Sequence, residues 1–68
     1  MKYVARLAFD ANGQETSAIV VDEFNDVQAA IRFIDTPYGE DGHLARELAL
    51  VTMMHMAILM NERFLKND

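Results

Sequence analysis

The side chains of this sequence that could carry chemistry are two histidines and several carboxylates. His55 stands inside an otherwise apolar run, Leu48–Met60, and Glu40, Asp41 and His43 lie together before that run. A histidine beside a carboxylate can act as a general acid or base, and oxygen and nitrogen ligands in one loop can bind a divalent cation. Acid–base catalysis and metal binding both need further side chains that converge on one point. The secondary-structure elements that position these residues therefore determine whether such a site can form.

The cluster before the apolar run lacks the pattern of a metal site. Neither a zinc-ligand spacing nor a calcium-binding loop surrounds Glu40 and Asp41, and adjacent carboxylates do not easily face one cation. Both acids have a simpler role, because Asp41 suits the N-cap of a following helix and Glu40 suits the positive end of the helix dipole. We therefore expect no metal and no cofactor.

His55 has only Glu62 as an acidic neighbour on its own face of the expected helix, two turns away. A lone histidine in an apolar seam is usually structural, and one polar residue there often sets the register of a pairing. A histidine that makes an interface pH-sensitive is an alternative, and a ligand-binding or catalytic histidine is another. No serine or threonine has an evident base and no glycine-rich phosphate loop is present, so we expect no catalytic residues and no enzyme.

Composition narrows the classes of function further. The chain has 68 residues, of which 51% are hydrophobic and 25% charged, as expected for one globular domain over residues 1–68. It has no cysteine and a net charge of −5. The first property excludes a disulfide scaffold and makes a cytoplasmic location the default. The second argues against direct binding to nucleic-acid phosphates.

An antiparallel hairpin is expected first. Lys2–Phe9 alternates in polarity and Thr16–Val21 is rich in β-branched residues, as is typical of strands. We favour a type I turn over residues 11–13 with Gly13 in the left-handed conformation. That turn would place alternate residues of the first strand (Ala5, Leu7, Phe9) on one face with Ser17, Ile19 and Val21, whereas a two-residue turn would place them with Thr16, Ala18 and Val20.

Two helices are expected after the hairpin. Val27, Ala30, Ile31 and Ile34 recur at helical spacing and predict a short helix, Asp26–Asp35, with Asn25 as its N-cap. The loop Thr36–Gly42 follows, and a long C-terminal helix is expected over His43–Lys66. The expected fold class is α+β, with a β-hairpin followed by a short helix and a long helix (ββαα).

The long helix is apolar nearly all round and must be covered on several sides. Its continuously apolar part is about 20 Å long, too short for a hydrocarbon core of about 30 Å, so we expect no membrane span. Two seams run along it, and a second copy of the chain is the simplest cover for one of them. The first seam is Leu44, Leu48, Val51, His55, Ile58, Glu62 and Leu65, and the second is Leu50, Met53, Ala57, Met60 and Phe64. We expect a homodimer whose interface includes Leu48, Val51, Met53, His55, Ile58 and Met60.

The expected function is that of a small acidic, non-enzymatic protein that binds a partner protein and modulates or inhibits it. Phage or mobile-element accessory inhibitors and antitoxin-like regulators are often of this size and charge. The alternatives are a structural dimerisation subunit of a larger assembly and a dimer that binds a small molecule beside His55. The residues expected to contact the partner are Asp22, Glu23, Asp26, Tyr38, Glu40 and Asp41.

Overall fold

A three-stranded antiparallel sheet and one long helix make up the fold. The computed structural model of the chain describes the backbone of residues 2–67 and the side chains of residues 2–63. Neighbouring strands in the sheet are also neighbours in sequence, in the order β1-β2-β3. The α+β class is confirmed. The elements are β1 (Val4–Phe9), β2 (Glu15–Val21), β3 (Val27–Arg32), a single 3-10 turn (Phe33–Asp35) and α1 (Gly42–Asn67).

The two hairpin turns are built alike and lie twelve residues apart. In the first, the Asp10 carboxylate accepts the N–H groups of Asn12 and Gln14, and Gly13 has a φ of 78°. The second repeats this arrangement, with Asp22 as the acceptor and Asn25 at a φ of 67°. Glycine and asparagine are the residues that adopt this conformation most readily. The predicted first turn is therefore confirmed, and a second one follows it.

The predicted faces of β1 and β2 are wrong, although the turn between them is right. Phe9 pairs with Glu15 as that turn requires, but Ala8 then pairs with Ser17, so Thr16 is an extra residue in β2. One extra residue reverses which side chains share a face. Leu7 and Ala5 consequently lie opposite Ala18 and Val20, which are fully buried against the helix.

The predicted short helix Asp26–Asp35 is wrong. Val27–Arg32 is an edge strand, and only Phe33–Asp35 is helical, as one 3-10 turn. A two-stranded hairpin alone is only marginally stable in water, and a third strand paired with the open edge of β2 stabilises the sheet. Ala29 and Ile31 lie opposite Val20 and Ala18 and pack against the core cluster. Asn25 is accordingly the left-handed residue of a turn and not an N-cap.

The long helix α1 packs on the sheet through its small side chains. Its boundaries confirm the prediction to within one residue at each end, and the predicted N-cap is present, since the Leu44 N–H donates to Asp41 Oδ1 at 3.2 Å. Alanine on the inner face allows the helix backbone to approach the strands closely. The core cluster is Ala18, Val20, Ala49, Met53 and Ala57.

Candidate interaction surfaces

The outer face of α1 carries apolar side chains that this chain does not cover. We define it as Leu44, Leu48, Val51, His55 and Ile58, which lie on the side of the helix opposite the core alanines. Val51 is 61% exposed and Ile58 54% exposed, whereas Leu48 is partly buried. Contiguous exposed apolar surface of this kind marks interaction sites in soluble proteins. The face matches the first of the two predicted seams.

Two residues of the predicted dimer interface lie elsewhere. Met53 is 4% exposed and belongs to the core, and Met60 packs against the same cluster. Both side chains therefore contribute to the stability of a single chain. His55 is exposed on the outer face, and none of the depressions described below includes it.

A groove runs along the free edge of β1, between this strand and α1. Its two depressions share Leu50, which lies beside Leu7 in one and beside Ala5 in the other. Met54 and Ile58 line the second depression. We call this surface the edge groove, and its lining residues are Tyr3, Val4, Ala5, Arg6, Leu7, Ala8, Phe9, Ile19, Leu50, Met54, Ala57, Ile58 and Asn61.

One side chain closes the edge groove at its far end. The Asn61 amide accepts the Tyr3 N–H at 2.8 Å through Oδ1 and donates through Nδ2 to the Tyr3 carbonyl oxygen at 3.0 Å. The side chain thus makes the pair of hydrogen bonds that a neighbouring strand would make. Both backbone groups of Tyr3 are satisfied without a partner strand.

The segment Phe33–Asp41, which we call the acidic loop, presents an aromatic side chain among carboxylates. Tyr38 is 47% exposed and Ile34 62% exposed, and both line a shallow depression together with Glu40 and Asp41. All three acids of the segment, Asp35 included, are exposed. Tyr38 and Ile34 thus form a small apolar surface bordered by carboxylates, which is complementary to an apolar pocket bordered by basic groups.

Hydrogen bonds hold the acidic loop in one conformation. Thr36 Oγ1 donates to the Phe33 carbonyl at 2.8 Å and accepts the Tyr38 N–H at 3.3 Å. The Gly39 N–H donates to the Thr36 carbonyl at 3.1 Å. A Cβ on Gly39 would stand 2.7 Å from the Ile34 carbonyl oxygen, so only glycine fits there without a backbone shift. Tyr38 is therefore presented by a loop that is already ordered.

The remaining predicted contact residues lie at the other end of the sheet. Asp22, Glu23 and Asp26 belong to the β2–β3 turn, whereas the acidic loop follows β3 after the chain has returned along the sheet. Phe24 in that turn is 71% exposed. The six predicted contact residues thus form two separate groups, each with its own exposed aromatic side chain.

Two ion pairs flank the acidic loop. The Arg32 Nε donates to Asp35 Oδ2 at 2.8 Å, and this hydrogen bond, together with the attraction of the carboxylate, raises the pKa of Arg32 above its ordinary value. Arg46 of α1 pairs with Glu15 of β2. Among the residues that the structure describes, no group of three or more histidine, aspartate or glutamate side chains is arranged to hold a metal ion.

The length of α1 bears on the expected absence of a membrane span. Over Gly42–Arg63, α1 is 22 residues long and contains an 18-residue window with a mean hydropathy of 1.2, which is long and apolar enough to cross a membrane by length and composition alone. Core helices of soluble proteins, which are mostly buried, can meet the same criteria; 22% of this stretch is buried, where its alanine face packs on the sheet.

Comparison with protein-family models, with curated proteins and with solved structures gave no match.

Proposed function

We propose that this chain is a small acidic, non-enzymatic protein-binding module that modulates a partner protein through its acidic loop. The observation that carries the proposal is the exposure of Tyr38 and Ile34 on a loop already ordered by hydrogen bonds. Ordering a flexible loop opposes association, and a loop ordered in advance avoids that cost. Tyrosine also supplies a large contact area with few rotatable bonds.

Charge defines the kind of partner. Glu40 and Asp41 border the depression beside Tyr38, and the whole chain has a net charge of −5. The complementary surface is a basic rim around an apolar pocket that receives the tyrosine ring. Opposite charges at such a rim increase the association rate and discriminate against other acidic proteins.

The test uses two exposed aromatic residues as a matched pair. Tyr38→Ala should abolish capture of the partner from an extract of the source organism, whereas Phe24→Ala, at the other acidic end, should leave capture unchanged. Thermal unfolding of both variants controls for stability. The opposite pattern would move the site to the β2–β3 turn, and retention by both variants would refute an aromatic anchor at either end.

Salt dependence tests the acidic rim independently. Capture should weaken above about 0.3 M salt, where charges more than about 6 Å apart are largely screened. Glu40→Gln should reduce this salt dependence and leave the fold intact. Asp41 is unsuitable for this purpose because it caps α1. Binding that salt does not affect would argue against a contribution from the rim.

A second candidate function is that of a structural subunit that dimerises through its long helix. The exposed apolar side chains of α1 favour it, since a surface of this kind in water lowers solubility unless another protein covers it. Light scattering on a sizing column over a hundredfold concentration range tests it, with a dimer expected near twice 7.7 kDa. A monomer at every concentration would refute it.

A further inference from the structure

We propose that two copies of this chain pair antiparallel through β1, so that their sheets become one continuous sheet and their α1 helices pack side by side. The proposal specifies the geometry of the second candidate function and does not depend on partner binding at the acidic loop. It commits the edge groove to a second copy of the chain.

The free edge of β1 has backbone groups available for such pairing. In an antiparallel ladder, alternate residues of a strand direct their N–H and C=O groups to opposite sides. Tyr3 bonds to Asn61 on the free side, and the Asp10 N–H donates to Gln14 on the β2 side. Ala5 and Leu7, in phase with Tyr3, therefore direct their backbone groups to the free edge, as Phe9 does.

The position of α1 over the sheet brings the two helices closer together when the edges pair. α1 packs more on β1 and β2 than on β3, so it lies toward the free edge of β1. A partner β1 at the usual strand spacing of about 4.8 Å then places both helices on the same face of the continuous sheet, on either side of the new strand pair. One operation thus covers the strand edge and the flank of α1 that bears Leu50 and Met54.

The accessible surface of the chain has the size that such an interface needs. It measures 4933 Å², whereas a compact monomer of this mass exposes roughly 4,300 Å². The difference of about 600 Å² approaches the roughly 800 Å² that each partner buries in a stable complex. The chain therefore exposes more surface than a compact monomer of its mass, by an amount of the order that one interface buries.

Two features of β1 select the register. A two-fold axis at Ala5 would set Leu7 of the partner against Tyr3, whose backbone groups Asn61 already occupies. An axis at Arg6 would place two guanidinium groups directly opposite each other, which is destabilising. Axes at Leu7 and Ala8 both avoid these problems, but only the axis at Leu7 uses the free backbone groups of Ala5, Leu7 and Phe9 in reciprocal pairs, because an axis at Ala8 would set Ala5 against Ala11 in the turn.

A matched pair of substitutions tests the interface. Met54 and Leu59 are 50% and 49% exposed, but Met54 lines the edge groove and Leu59 lies on the opposite flank of α1. Sedimentation equilibrium of wild type should show a dimer. Met54→Lys should raise the dissociation constant of the dimer by at least about tenfold, because the lysine would be buried without a carboxylate to pair with. Leu59→Lys should change the dissociation constant of the dimer by no more than about twofold. A monomeric wild type, or equal effects of the two lysines, would overturn the proposal.

Engineered cysteines test the register, because the natural chain has none. Under mild oxidation Leu7→Cys should form a covalent dimer, since position 7 of one copy would lie opposite position 7 of the other, with the two Cα atoms about 5.5 Å apart. Ala5→Cys and Arg6→Cys should cross-link far more slowly. Faster cross-linking of either would overturn the assigned axis. Partner capture that fails for Tyr38→Ala while the dimer persists would separate this proposal from the acidic-loop proposal.

Discussion

The Asn61 clamp on Tyr3 offers a direct test of how α1 is joined to the start of the sheet. Asn61→Ala removes two hydrogen bonds to one backbone unit, at 2.8 and 3.0 Å, in a partly buried position. Each such bond contributes about 1 kcal/mol to stability, so the loss is about 2 kcal/mol. Alanine returns about 0.5 kcal/mol through its higher helix propensity. The net expectation is a decrease of about 1.5 kcal/mol in the free energy of unfolding.

Urea unfolding at a fixed protein concentration measures this change, since an oligomer would make the apparent stability depend on concentration. Glu62→Ala is the control, because Glu62 follows Asn61 in α1, its side chain is exposed, and no described hydrogen bond involves it. Amide exchange adds a local readout. The Tyr3 N–H should lose its protection in Asn61→Ala more than the core strand β2 does. Unchanged exchange at Tyr3, or a variant as stable as wild type, would refute the role given to the clamp.

Three further predictions concern the turns and the acidic loop. Asp10→Ala and Asp22→Ala should each destabilise the chain by about 1–3 kcal/mol and by similar amounts, because each carboxylate accepts two turn N–H groups; a strong inequality in urea unfolding would contradict the equivalence of the two turns. Gly39→Ala should destabilise by about 1–3 kcal/mol through its contact with the Ile34 carbonyl, whereas Gly42→Ala, with open space around it, should be neutral or stabilising. Equal melting temperatures for these two variants would refute the close approach. Asn25→Gly should raise the melting temperature slightly, because glycine adopts the positive φ of 67° without steric cost; a lower value would show that the Asn25 side chain stabilises the turn.

The elements with strong local signals could be predicted from the sequence. The alternation of β1, the Asp-x-x-Gly turn and the long apolar run of α1 each point to one structure, and all three are confirmed. The third strand could not be identified by periodicity, because Val27, Ala30, Ile31 and Ile34 also fit a helical spacing. Its position was decided by pairing with β2, a tertiary effect that short apolar segments do not reveal.

A signal for the third strand was nevertheless present. The segments Asp10–Gly13 and Asp22–Asn25 have aspartate at the first position and a residue tolerant of positive φ at the fourth. Read together, they indicate two identical turns and hence three strands. The bulge at Thr16 had no comparable signal, which is why the faces of the hairpin were reversed.

The candidate surfaces were partly accessible from the sequence. Tyr38, Glu40 and Asp41 of the acidic loop and the outer face of α1 were expected as contact surfaces, and the structure shows these three side chains and most of those on the outer face exposed. The edge groove was not expected, since it depends on which strand lies at the edge of the sheet and on where α1 crosses it. Met53 was assigned to an interface because helical spacing cannot distinguish the face that packs on the chain's own sheet from the opposite one.

The repeated turns also govern the order in which the structure can form. Each strand pairs with its sequence neighbour through a turn stabilised by its own aspartate, so the sheet is complete at Arg32, before any residue of α1 is needed. Hairpins of this kind form within about 1–10 μs, far faster than a ribosome adds residues. We expect Ala18 and Val20 to stay uncovered during synthesis until α1 emerges and packs on them. The nascent chain should be most exposed to aggregation in that interval, and packing of the helix should end it.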